Sequence, residues 1–352
     1  VIAAAAGVGS SGVTAGAEAG PLLFLEESYV APLSPWGRGL LFEGQAAGHH
    51  FLHHGFAQED WLREGGVRVA YPLSVVLVVR VRDEETNPVR TPSFVLRPVY
   101  AQVARLTRAG DRFRISCFSA GIAHYSNGQS GRTFLAEDPS RANVLDGGFS
   151  TNYIPIDAGV AWGRIRDGGD VAGAFALRVH VEAHPHEFLK AGMTRELAAA
   201  YGQFQVGVGA ALERAWRSRG TSQGSVTVAS RFGPEKESPD WTADLELCWI
   251  LRRVEGWGAF VRWHLGSDYY NIHFQEDRGF ALAGLIWKPG RIARLPRRSA
   301  TRRRSPPGAR PASAAASWLE AVLHRARFPV ASRRRTGDID RQSTPDPPRG
   351  VA

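Results

Sequence analysis

Cysteine is nearly absent: the 352 residues contain two, Cys117 and Cys248, far apart and outside any C-x-x-C pair. That count and spacing argue against a disulfide scaffold and against cysteine-ligated zinc. Long apolar runs are missing as well. The longest, Val75-Val76-Leu77-Val78-Val79, falls far short of the roughly 18 to 20 residues a spanning helix needs, which excludes a helical membrane protein. A membrane β-barrel stays open, because its strands alternate and never build a long apolar window. Amphipathic helices are also wanting; residues 194–201 offer one or two turns at most. The glycines form no phosphate-binding loop followed by a helix.

A basic folded surface is a further absence, despite a formal charge of +9. Residues 288–352 hold sixteen Lys and Arg against four acids, a net of +12, which leaves about −3 for residues 1–287. Nucleic-acid binding needs a basic face on a folded domain, so no nucleic-acid partner is expected. The blocks Arg302-Arg303-Arg304 and Arg333-Arg334-Arg335 sit among Pro, Ser and Ala. Residues 289–352 therefore read as a disordered basic tail, foreign in composition to the rest as a non-native extension would be.

What is present is alternation. From 66 to 82 the odd positions are Val67, Val69, Tyr71, Leu73, Val75, Leu77, Val79 and Val81, with Arg68, Ser74, Arg80 and Arg82 between them. Phe175, Leu177, Val179 and Val181 alternate likewise with Arg178, His180 and Glu182. The same period-two signal runs through 94–106, 113–126, 151–164, 203–210, 224–232, 241–251, 256–265 and 279–287, about ten strands in all. Several run 10 to 16 residues, against about 5 to 6 in ordinary sheets. Long strands with one apolar and one polar face suit a closed barrel with a polar inside; a soluble β-sandwich esterase is the shorter-stranded rival. Residues 1–19 are small and apolar and close on Ala17-Glu18-Ala19, like the remnant of a secretory signal peptide. The expected division is this remnant, an N-terminal segment at 20–64, a barrel at 65–288 and the tail.

The sharpest local feature is His124-Tyr125-Ser126-Asn127-Gly128-Gln129-Ser130. Residues i and i+2 of a strand share a face, so His124 and Ser126 are neighbours, and the imidazole can serve the hydroxyl as a general base. Phe118, Ala120 and Ile122 precede them on that face, which makes it the apolar one. Asn152 likewise opens the apolar face of Ile154, Ile156, Val160 and Trp162. If the two strands pair antiparallel, Asn152 can bond the second ring nitrogen of His124, as the third member of a triad does. Gly128 permits a tight turn where a backbone N–H could meet an oxyanion.

These residues resemble the outer-membrane phospholipase A (phospholipase A1) family. The run from His124 is similar to its H-x-S-N-G signature, Ser150-Thr151-Asn152 to its second element, and Asp268-Tyr269-Tyr270-Asn271 to its carboxy-terminal hairpin. The resemblance covers roughly residues 60–288. It implies an antiparallel transmembrane β-barrel of 12 strands in the outer membrane, a Ser126-His124-Asn152 triad, a calcium requirement, membrane phospholipids as substrate and activation as a homodimer. For calcium it points to Gln129 through its carbonyl, with Ser150 or Asp146 as side-chain ligands. The family's Ser-x-Ser-x-Asn is here Gly148-Phe149-Ser150-Thr151-Asn152, so its calcium-ligating serine has no counterpart at Gly148. The rival of another class is a barrel of the same lineage that acts as a pore or scaffold. His49, His50, His53 and His54 could bind a transition metal but read as an exposed loop, and Trp36, Trp61, Trp162, Trp257, Trp263 and Trp287 read as interfacial girdles or packing rather than a sugar or base platform.

Overall fold

The structure, a computed structural model, describes residues 24–33, 40–55, 65–82, 89–166, 171–186, 188–190, 192–216, 220–251, 256–268 and 270–288. The expected signal remnant at 1–19 and the tail at 289–352 lie outside these residues. Twelve strands form a closed antiparallel barrel: β1 (Ser28–Leu33), β2 (Phe42–His54), β3 (Gly66–Val81), β4 (Ser93–Ala109), β5 (Arg112–Ser126), β6 (Ser150–Ile165), β7 (Val171–Ala183), β8 (Phe204–Trp216), β9 (Gly220–Phe232), β10 (Asp240–Leu251), β11 (Trp257–Ser267) and β12 (Asp277–Trp287). Each strand pairs with the next, and β12 returns to β1 through Ser28 opposite Trp287. Closure removes the sandwich reading. It also moves the expected boundary at 65, since β1 and β2 belong to the wall. The histidine cluster is corrected with it: it lies on β2, where His49 points inward between Ser74 Oγ at 2.8 Å and the Glu26 carbonyl at 3.0 Å.

Alternation sorts the side chains as the sequence pattern requires. On β3, Ala70, Val76, Val78 and Arg80 are buried, whereas Val67, Tyr71 and Val75 keep 54%, 44% and 48% exposure. An apolar wall of this kind on every side belongs in lipid. Aromatic side chains gather at its two rims. Phe94, Phe204, Phe232 and Trp241 stand at one, and Trp162, Phe175, Trp216 and Trp257 at the other, all partly exposed. From Phe204 to Trp216 along β8 is about 40 Å at ~3.4 Å per residue. Tilted by about 40°, that spans roughly 30 Å, the depth of a bilayer core.

The inside is polar and occupied. Asp157 on β6 accepts from Tyr100 at 2.7 Å, from Ser119 at 3.2 Å and from Arg178 at 2.5 Å, and faces His180 Nδ1 at 2.8 Å. Arg80 bonds Glu43 and both oxygens of Asp268, at 2.7 Å each for the latter. Residues 24–27 run within the lumen before entering β1. Phe24 lies under the Arg178 guanidinium at 4.8 Å, Glu26 pairs with Arg97, and Glu27 with Arg262 at 2.6 Å.

The two ends differ. Connections 127–149 and 184–203 emerge at one end, while Gly110 and Asp111 alone join β4 to β5 at the other. Long loops mark the extracellular end of such barrels. Within 184–203 a short helix, α1 (Arg195–Tyr201), is capped by Thr194, whose hydroxyl accepts the Leu197 N–H at 3.3 Å.

Candidate active site

β5 ends and β6 begins at the long-loop rim, and their register sets His124 opposite Asn152 and Ser126 opposite Ser150. All four lie on the lipid-facing side of the wall. His124 Nδ1 and Asn152 Oδ1 are 2.7 Å apart. The other end of the Asn152 amide, Nδ2, donates to the Phe188 carbonyl at 2.7 Å. Ser126 is two residues beyond His124 on the same face, and no hydrogen bond joins the two among the described residues. Catalytic pairs are commonly long without substrate. Phe94 and Leu96 on β4, each 39% exposed, sit opposite Ser126 and His124 and give the polar patch an apolar border.

The connection from β5 to β6 is tied to itself. Asn127, only 1% exposed, accepts from the Phe149 N–H at 2.9 Å and the Gln129 N–H at 3.2 Å, and donates to the Gly147 carbonyl at 2.8 Å. The sequence offered Asn127 as part of a motif without a task; its task is to staple the loop behind the serine. Gly128 follows with φ +69°, the left-handed backbone that a side chain resists. Behind this loop, Phe149, Met193, Leu197, Tyr201, Ile272 and Phe274 form an apolar cap. Three connections thus brace the end of β5.

The expected calcium ligands can be tested against the donors present. A Cβ on Gly148 would stand 2.7 Å from the Gln129 carbonyl oxygen and 2.9 Å from that of Gly131; one on Gly131 would stand 3.5 Å from Asp146 Cγ. The Gln129 and Gly131 carbonyl oxygens thus lie close about Gly148, that of Gly131 accepting the Gly148 N–H at 2.8 Å, and the backbone oxygen and carboxyl group of Asp146 lie beside Gly131. Asp146 also accepts from Asn143 Nδ2 at 2.5 Å. Ser150 is exposed beside Ser126 on the outer face. Oxygen donors with one carboxylate fit a hard cation, although the described residues hold no group of three His, Cys, Asp or Glu able to bind a metal.

No protein-family model and no curated protein sequence matches the chain. Among solved structures it is similar to outer membrane phospholipase A from Escherichia coli, at 10% identity over 75% of this chain and 92% of that one, with a TM-score of 0.45. It is also similar to the Salmonella typhi outer membrane phospholipase dimer with bound calcium, at 10% identity, 75% and 91% coverage and a TM-score of 0.44. The translocator domain of the autotransporter NalP from Neisseria meningitidis gives 12% identity, 74% and 85% coverage and a TM-score of 0.33. A closed twelve-stranded barrel with an apolar outer face fits an outer-membrane location. The site itself rests on this chain's own residues.

Proposed function

We propose that this chain is an outer-membrane phospholipase that hydrolyses acyl esters of glycerophospholipids. The observation that carries the reading is the 2.7 Å contact between His124 Nδ1 and Asn152 Oδ1, placed on the lipid-facing wall beside Ser126. Ser126 Oγ attacks the ester carbonyl, and His124 accepts its proton and later returns it to the departing alcohol. Asn152 holds the imidazole, and the Gly128 N–H serves the oxyanion. Substrate arrives laterally, from the outer leaflet, past Phe94 and Leu96.

Gln129 through its carbonyl, Asp146 and Ser150 would hold calcium, whose chemistry at an ester is to polarise the carbonyl oxygen. The active form is a homodimer. Against the pore reading stands the lumen, which residues 24–27 and the ion pairs of Arg97, Arg178 and Arg262 occupy.

The test is phospholipid hydrolysis by refolded protein in mixed micelles, with calcium and with a chelator. Hydrolysis that falls on chelation and returns with calcium is expected. Turnover indifferent to both would remove the metal from the reading, and no turnover at all would leave a non-catalytic barrel.

Asn152 should matter less than His124. A neutral amide orients the ring without Coulombic support of the imidazolium, so Asn152→Ala is expected to lower kcat by about 10- to 100-fold, in the range of other orienting partners. Removing the base, by His124→Ala, should cost several orders of magnitude more. Equal losses at unchanged stability would give Asn152 a larger part than orientation.

A further inference from the structure

The loop between β7 and β8 reaches the triad through one backbone atom. Asn152 is 7% exposed, and its Nδ2 meets the Phe188 carbonyl oxygen at 2.7 Å. A carbonyl can only accept, so the amide group facing it must be the NH2. The amide oxygen is then fixed toward His124, where it can only accept in turn. Nδ1 of His124 must therefore carry the proton, and Nε2 is left with its lone pair as the basic nitrogen. Were the amide turned over, two donors would face the ring and Phe188 would meet an oxygen. The Phe188 carbonyl decides between these arrangements.

That carbonyl is held in place by an unusual turn. Phe188–Lys190 is a kinked segment, not one continuous helical turn: Leu189 breaks it at φ 54°, ψ 37°, the one positive-φ residue other than glycine among the described residues. L-residues resist this conformation, and those that adopt it are held there by their surroundings and gather at functional sites. The neck of the loop is closed by the bridge of His186 to Met193, with His186 Nδ1 3.1 Å from the Met193 carbonyl. Leu189 itself is 63% exposed, so burial of its side chain is not what holds it.

We infer that the Phe188 backbone carbonyl, presented by the left-handed turn at Leu189, is the positioning group that sets the tautomer of His124 through Asn152. The inference deepens the hydrolase reading and assigns the orientation of the base to a part of the chain that carries no motif. Glycine adopts the left-handed region freely, whereas proline fixes φ near −65° and drives the residue before it to extended backbone. Leu189→Gly keeps the carbonyl where it is, and Leu189→Pro withdraws it.

The experiment uses the full-length chain, labelled with ¹⁵N-histidine and refolded in micelles, with the His124 signal assigned by its loss in His124→Ala. Imidazole ¹⁵N shifts read the tautomer directly, with no need of turnover. Wild type and Leu189→Gly should show the proton on Nδ1; Leu189→Pro and Asn152→Ala should move it in part to Nε2. In hydrolysis, Leu189→Pro should lower kcat by the same factor as Asn152→Ala, about 10- to 100-fold, and Leu189→Gly by less than twofold. The double variant Asn152→Ala/Leu189→Pro should be no slower than Asn152→Ala alone. A Leu189→Pro protein that keeps the Nδ1 proton, or losses that multiply in the double variant, would overturn the assignment. Should wild type hydrolyse nothing, the hydrolase reading falls while the tautomer result still stands.

Discussion

Ser126→Ala is expected to reduce phospholipid hydrolysis by at least about 10⁴-fold, in line with the loss of a nucleophile from a serine triad, and to leave the barrel folded. The change deletes one oxygen from a rim position on the outward face. Its ladder partners, Phe94 on one side and Ser150 on the other, are held through backbone that the substitution does not touch. The loop that follows is tied by Asn127, not by the serine. Folded and unfolded forms of a barrel can be separated by gel mobility with and without heating, so stability and turnover can be read on the same sample. Wild-type turnover in a folded Ser126→Ala protein would remove the nucleophile assignment.

Asp157→Ala should do the reverse: unsettle the barrel without touching the triad. Asp157 is 1% exposed, and it is the acceptor shared by Tyr100, Ser119, Arg178 and His180 from three neighbouring strands. Removing it leaves several donors facing an apolar methyl in the lumen. Breaking a buried pair by deleting one partner costs about 3–5 kcal/mol. The lower end applies here, because the Arg178 side chain is 47% exposed and can recover water. A lower urea midpoint by tryptophan fluorescence is the expected reading, with Asp157→Asn in between, since the amide keeps an acceptor oxygen. An unchanged midpoint would show that the lumen networks contribute nothing to holding the wall together.

Ten of the twelve strands were legible as alternation because most of their outward positions carry bulky apolar groups, such as Leu177 and Val179, against polar inward ones, such as Arg178 and His180. β1 and β2 were not. β1 is six residues long, and the outward positions of β2 include Gly44, Ala46 and Gly48, too small to contrast with their neighbours. His49 misled for a related reason: its partners are Ser74, 25 residues away, and a carbonyl of the lumen segment. The outward facing of His124, Ser126 and Asn152 followed from strand period alone. The antiparallel register of β5 and β6 then gave the His124–Asn152 contact. The Phe188 carbonyl could not be read from the sequence, since a backbone oxygen has no letter and its placement depends on a loop 36 residues further along.

The placement of His124 and Ser126 on the outer wall has a kinetic consequence. Under the proposed hydrolase reading, a nucleophile that faces lipid meets its substrate in two dimensions, so the relevant concentration is the mole fraction of phospholipid in the surrounding leaflet, not its molarity in the suspension. Adding inert detergent at constant phospholipid should slow the reaction by surface dilution, and adding water should not. On that footing the state of the membrane around the protein, rather than any event in the lumen, governs how fast the site is supplied.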